Sequence, residues 1–191
     1  MTSRNADTST PVLEPIASRW SPRAFDETHA FAPGALRSLL EAARWAPSAR
    51  NTQPWRFIVA HRGSTSFARI TDALVESNAN WARRASALIV NTVRLEDEDG
   101  SPLPWSVYDL GQAVSSYSLQ ARSEGLYVHQ MGGFDHDAIR ESFNLERHIE
   151  PISVAAVGVL GDPAILTERQ QSRETAPRAR HELGEIVLVD D

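Results

Sequence analysis

The sequence predicts one domain of the α+β or α/β class. Three observations carry this. Short β-branched runs have the length of buried strands, and stretches with period-3.6 apolar spacing lie between them. No internal repeat or linker divides the chain, whose 191 residues suffice for one well-filled domain and are short for two.

Leu36, Leu39, Leu40 and Ala43 fall at i, i+3, i+4 and i+7 and predict a helix over Ala35–Ala46. Pro47 ends it, because proline has no N–H and restricts the residue before it. Arg56–Ala60 follows a Pro-Trp turn and reads as a buried strand. Thr65–Ser77 and Asn80–Arg84 read as helices, and Ala87–Val93 as a second buried strand. Glu96–Pro104 is an acidic, solvated loop. Val107, Leu110, Val114, Tyr117 and Ala121 form the stripe of a long helix over Val107–Glu124, with Gly125 as its C-cap. Leu126–His129 is a short strand, Met131–Phe134 a turn, and Asp135 the cap of a helix reaching Phe143. Ile152–Leu160 is another buried strand, followed by a polar helix or loop over Ala164–Arg173. The terminal apolar run Ile186–Val189 reads as a strand that needs a sheet edge, its own or a partner's.

Composition narrows the function classes. Apolar residues are 41% and charged residues 23%, which excludes disordered, collagenous and coiled-coil chains. All nineteen basic residues are Arg. Lysine-dependent chemistry (Schiff base, P-loop, lysine base) is therefore excluded, while bidentate recognition of phosphate or carboxylate is retained. A net charge of −6 argues against nucleic acid as a partner. Without cysteine there is no thiol catalysis, disulfide or thiolate metal site. The six histidines have no metal-ligand spacing, and neither a Gly-x-Ser-x-Gly elbow nor a Gly-x-Gly-x-x-Gly loop occurs. No apolar run has the ~20 residues of a membrane span, and the polar start lacks the core of a signal peptide. The expectation is a cytoplasmic protein with a flexible arm over residues 1–17 and one domain over 18–191.

Four stretches concentrate chemistry. Arg19, Ser21 and Arg23 alternate, so in an extended segment they share one face and suit a phosphate. Ala46–Phe57 holds Asn51 and Gln53, amides that present both a donor and an acceptor and can read a heterocycle. Gly132 and Gly133 let a backbone lie flat against a ligand. Arg178 and Arg180 again share a face if extended. Singly, each also reads as an ordinary turn or solvated edge.

In this order the four resemble the flavin-dependent nitroreductase family, from about Arg19 to Val189. The pieces are Arg19-Trp-Ser-Pro-Arg-Ala-Phe25, the Pro47–Trp55 loop, Asp109 to Ala113 running into Gly125-Leu126, the Gly133-Phe-Asp135 turn, and the Arg178/Arg180 pair. The resemblance implies an α+β fold, a central mostly antiparallel sheet flanked by helices, in an intertwined homodimer with FMN at its interface. Arg19, Ser21 and Arg23 then hold the phosphate and ribityl end with Arg178 and Arg180, and Trp20 contributes mainly backbone contacts. Pro47, Ser48 and Ala49 line the ring from the other subunit, and Asn51 and Gln53 read its pyrimidine edge. Met131, Gly132 and Gly133 place backbone N–H groups near N5 and O4.

The implied activity is hydride transfer from NADPH or NADH to flavin N5. Ping-pong reduction of nitroaromatic, quinone or similar conjugated acceptors follows, with no side-chain acid or base required. Another flavin chemistry, such as reductive dehalogenation or flavin breakdown, and a non-catalytic FMN-binding protein are the alternatives. The short acidic loop before Val107 departs from family members that carry extra helices there. It leaves Trp105 and Tyr108 either to line the substrate side or to pack in the core.

Overall fold

The computed structural model describes residues 4–190. Four strands, β1 (Trp55–His61), β2 (Ala87–Arg94), β3 (Tyr127–Met131) and β4 (Ile149–Gly158), form an antiparallel sheet in the order β1-β2-β4-β3. Helices cover both faces, which makes the fold α+β. Central β2 is buried along nearly its whole length: Ala87–Val90 and Val93 are apolar, and Asn91 and Thr92 are buried between them.

One face carries α3 (Thr65–Ala73), α4 (Glu76–Ala82) and α6 (His136–Phe143), which pack Phe67, Ile70, Trp81 and Ile139 against Leu88, Val90, Val154 and Ala156. The other carries α2 (Arg37–Arg44) and α5 (Ser106–Ser123), which pack Leu39, Ala43, Leu110 and Tyr117 against Ile89, Val93, Ala155 and Val157. Shorter helices complete the chain: α1 (Glu14–Ser18) near the start, then α7 (Glu168–Thr175) and α8 (Leu183–Ile186) near the end. Among the described residues no helix is long and apolar enough to cross a membrane.

The elements depart from their expected forms at four points, each with a local cause. The helix expected over Thr65–Ser77 breaks at Leu74, where the backbone turns extended and bridges Phe134 while Val75 N–H donates to the Gly133 carbonyl. β4 begins at Ile149 and takes in Pro151, which sits where the β2–β4 register slips between Asn91 and Thr92 and so costs no ladder bond. The buried face of α5 runs through Asp109, Leu110, Ala113, Tyr117 and Ala121, and Val107 lies outside it at 50% exposed. Asp109 turns inward because its carboxylate accepts a hydrogen bond from Ala49 N–H. Finally, the terminal run joins no sheet edge of its own chain: Leu183–Ile186 is helical and Leu188 is 93% exposed.

The polar heart of the sheet lies under α5. Tyr117 Oη donates to Asn91 Oδ1 (3.0 Å) and accepts from Gln130 Nε2 (2.8 Å). Asn91 Nδ2 in turn donates to Gln130 Oε1 and Ser153 Oγ, both at 2.9 Å. Burial pushes the Tyr117 phenol up to about 12, against the pull of these hydrogen bonds. Tyr117→Phe leaves the Asn91 and Gln130 amides short of a partner in a dry site. It is expected to destabilise the fold by about 1–3 kcal/mol, measured as a lower urea midpoint at unchanged slope.

Candidate functional site

The segment Arg19–Ala24 is irregular, bends at Arg23 and leads into Phe25, which bridges Leu160 just past β4. On one side Arg19 Nη2 donates to Ser21 Oγ (3.2 Å), and Arg19 lines a cavity of about 370 Å³ together with Arg178 and Arg180. On the other side Trp20 meets Tyr127 edge to face at 6.0 Å.

The lining of this cradle brings together Arg19, Arg178 and Arg180 with two carboxylates, Asp7 and Glu182, and Arg23 is not part of it. Among the described residues none of Arg19, Arg23, Arg178 and Arg180 makes an ion pair. Burial, reinforced by Arg180, pulls the Arg19 guanidinium below its ordinary value; burial, Arg19, Arg180 and Arg4 do the same to Arg178. Arg178 Nη1 donates to the carbonyls of Arg4 and Ala17 (2.9 and 2.6 Å), which fixes its position.

Two buried groups hold this segment from behind, and neither was singled out in the sequence. Glu174 of α7 is 3% exposed, and its Oε1 accepts the backbone N–H groups of Arg23 (2.8 Å) and Ala24 (3.0 Å). His129 of β3 donates Nδ1–H to the Pro22 carbonyl at 2.7 Å, the only role open to it opposite an acceptor, and its ring lies 4.4 Å from Trp81. No sequence signal marks either residue, because each meets the segment from more than a hundred residues away.

The amide loop lies between α2 and β1. A 3₁₀ turn over Ala49–Asn51 puts Arg50 and Asn51 at positive φ (53° and 57°), and Gln53 follows at 46°. Left-handed non-glycine residues in such succession persist only where surrounding contacts over-determine them. Here Asp109 Oδ2 takes Ala49 N–H (3.0 Å), Ser48 Oγ takes Gln53 N–H (3.1 Å), and Gln53 Nε2 donates to the Asn51 carbonyl (3.1 Å). Asn51 and Gln53 are exposed, as is Pro47, and Ser48 and Ala49 are half-buried. Trp105 and Tyr108, 62% and 67% exposed beside this loop, do not pack in the core.

At the end of β3, Met131 is buried while Gly132 is exposed and faces open space. Gly133 has a packing reason to be glycine: a Cβ there would meet Val75 Cγ2 at 2.9 Å and Asn78 Nδ2 at 3.0 Å. Asn78 Nδ2 donates to the Gly133 carbonyl (3.1 Å), so the first turn of α4 braces the turn.

Within one chain, the arginine cradle and the amide loop sit at opposite ends of α5. Arg122 near its C-terminus holds Ser18 (Nε to Oγ, 2.7 Å), while Asp109 near its N-terminus holds Ala49. Asp109 and Arg122 are thirteen positions apart on the helix, a rise of about 20 Å.

Residues 16–93 and 67–159 match the Nitroreductase family. The chain belongs to that family. It superposes on a crystal structure of an oxidoreductase containing FMN with a TM-score of 0.91 at 34% identity, over 98% of this chain and 96% of the other. An uncharacterized 15.4 kDa protein of Mycolicibacterium smegmatis is 33% identical over 141 residues, which cover 70% of this chain and 95% of the relative. A Bacillus subtilis protein, YdgI, named provisionally as an NAD(P)H nitroreductase, is 25% identical over 82% of this chain and 92% of its own length.

In this nitroreductase-family chain the buried imidazole behind the cradle ties stability to pH. Burial, first of all, pulls His129 from 6.5 down to about 4. Between those values the unfolded chain takes up a proton that the native state refuses. The contribution is therefore complete above the unfolded value, declines as pH falls through the window and levels off below the native value. The loss amounts to about 3 kcal/mol. Denaturation at about pH 7.5 and about pH 4 should show a drop in wild type that is smaller by this amount in His129→Asn.

Proposed function

We propose that this chain is an FMN-dependent NAD(P)H oxidoreductase acting on nitroaromatic, quinone or similar conjugated acceptors. The observation that carries the reading is the cluster of three arginines, Arg19, Arg178 and Arg180, around one cavity; they outnumber the two carboxylates of its lining, Asp7 and Glu182, and pair with neither among the described residues. Like charges brought together at a partly buried site call for an anion of matching charge, and a phosphate monoester with its fork-accepting oxygens fits. Open space in front of Gly132 is a second point of fit, since a flat ring can approach its backbone there.

On this reading Arg19, Ser21, Arg178 and Arg180 bind the phosphate, and Arg23, outside their cavity and beside Glu174, adds charge from the same segment. Trp20 serves through its backbone, its ring being turned to Tyr127. Met131, Gly132 and Gly133 offer main-chain groups to the ring. When bound, FMN supplies the redox chemistry, accepting hydride from NAD(P)H and passing electrons to the acceptor in the same pocket. No protein acid or base is assigned, and the chain's own work is to bind, orient and leave one ring face open.

The 20 Å between cradle and amide loop supports a homodimer in which Pro47, Ser48, Ala49, Asn51 and Gln53 of one protomer face the cradle of its partner. The exposed aromatic group Trp45, Trp105 and Tyr108 near that loop suits such an interface and the acceptor it would admit. A reducing, cytoplasmic setting suits a chain without cysteine.

Purified protein should be yellow, or become so on reconstitution with FMN, and bleach anaerobically with NADPH or NADH. Reoxidation by a nitroaromatic should give parallel double-reciprocal lines. Failure to take up FMN sinks the proposal, and uptake without bleaching converts it to a binding protein. Arg19→Ala and Arg180→Ala should each weaken FMN binding by about 1.5–3 kcal/mol with the thermal midpoint of the apoprotein little changed. Light scattering of the flavin-bound protein should give the mass of two chains, and the mass of one would overturn the shared site.

A further inference from the structure

The residues ahead of Arg19 are folded back on themselves. Ala6 N–H donates to the Ala17 carbonyl (2.8 Å), which closes residues 6–17 into a loop that ends in α1. One nitrogen of Arg178 fastens both ends of this loop. Its Nη1 donates to the Ala17 carbonyl (2.6 Å) and to that of Arg4 (2.9 Å), just before the point of closure. Arg4 adds two further ties: its Nη2 donates to the Ala176 carbonyl (2.7 Å), and its guanidinium lies 4.4 Å from the centre of the Trp20 ring.

Between this loop and the segment 178–183 lies the cavity of about 370 Å³ that holds the cradle arginines, so the loop is one of its walls. Thr8, Ser9 and Thr10 bring three consecutive hydroxyls to the lining. Among the described residues, no main-chain N–H of residues 7–10 bonds to a backbone carbonyl. An anion drawn in by the arginines therefore meets further donors on this wall, and no backbone hydrogen bond within the chain is given up to supply them. Asp7 works in the opposite sense. Its carboxylate lies in the same lining and makes no ion pair among the described residues, so it repels any anion seated there.

We propose that residues 6–17 form a clasp over the phosphate of FMN, and that this clasp sets how fast the flavin leaves. The inference rests on the phosphate site proposed above and adds the wall that closes it. Donors of residues 8–10 hold the phosphate, the hydrogen bond between Ala6 and Ala17 keeps the loop shut, and Asp7 is the opposing charge that limits the grip. Arg178 couples the loop to its occupant. The same guanidinium fastens both ends of the loop and lines the cavity, so an anion that fixes it also fixes the loop.

Release of FMN from the full-length holoprotein, followed after dilution by the fluorescence of free flavin, reads the clasp. Ala6→Pro removes the N–H that closes the loop and should speed release about three- to tenfold. Asp7→Asn removes the opposing charge and should slow release about two- to fivefold. Riboflavin, which has no phosphate, should bind the wild type and both variants alike. Opposite signs from neighbouring positions separate a clasp on the phosphate from an arm that only supports the fold, because lost support would speed release in both. Should Ala6→Pro fail to fold, Asp7→Asn alone decides. With FMN bound by the wild type, the clasp is overturned if Ala6→Pro leaves the release rate unchanged, if Asp7→Asn fails to slow it, or if riboflavin responds as FMN does. A wild type that takes up no FMN removes the phosphate site itself, and the clasp with it.

Discussion

The hydrogen bond between Tyr117 and Asn91 is the contact on which the functional geometry depends. It joins the middle of α5 to the middle of β2 in a fully buried setting, where polar groups must find one another. Gln130 and Ser153 extend it to β3 and β4, so the helix is registered against three strands at once. Apolar packing alone would tolerate a sliding or rotating helix; a closed polar network specifies one position. With α5 so fixed, Asp109 at one end pins the amide loop and Arg122 at the other pins the start of the cradle segment.

Charge is organised around the cradle by division of labour. Arg19, Arg178 and Arg180 line one cavity, while Arg23 lies near Glu174 and Arg173, and the backbone of the segment is held by groups that add no positive charge. Glu174 does this with a carboxylate oxygen and His129 with a neutral imidazole kept neutral by burial. A protonated His129 would add to the repulsion already felt by Arg19 and Arg23. The acidic net charge of the chain does not bear on this, because a small anion answers to the few groups within reach of it.

Much of the fold was legible in the sequence. Period and length located the runs of β1, β2 and β4 and the long helix α5. At the sheet edge, however, β1 is only partly buried and not the buried strand expected, and the sequence leaves the segment after β4 open between helix and loop. Elements failed where a distant backbone intervened: the break at Leu74 exists because Phe134 and Gly133 bond to that backbone, and Pro151 lies within β4 because β2 slips its register there. The tilt of the α5 face toward Asp109 likewise answers to Ala49, sixty residues away. At the candidate site the residue types were readable: alternating arginines, paired amides, adjacent glycines. Glu174, His129 and Asn78 were not, since a glutamate in a polar helix or a histidine in a strand carries no mark of what it will touch.

Sequence alone determined the class of the fold, the absence of lysine and thiol chemistry, and the order of motifs that places the chain among nitroreductases. These are local properties, written in spacing and side-chain type. Tertiary structure decided the rest: which arginines share a cavity, that Gly133 is glycine because α4 presses against it, and that the terminal run finds no edge in its own chain. It also decided that Thr10 and Arg180, 170 residues apart in sequence, line one cavity. The physical reason is that burial and partnership are relations between segments, fixed only when the sheet and its two helical layers close on one another.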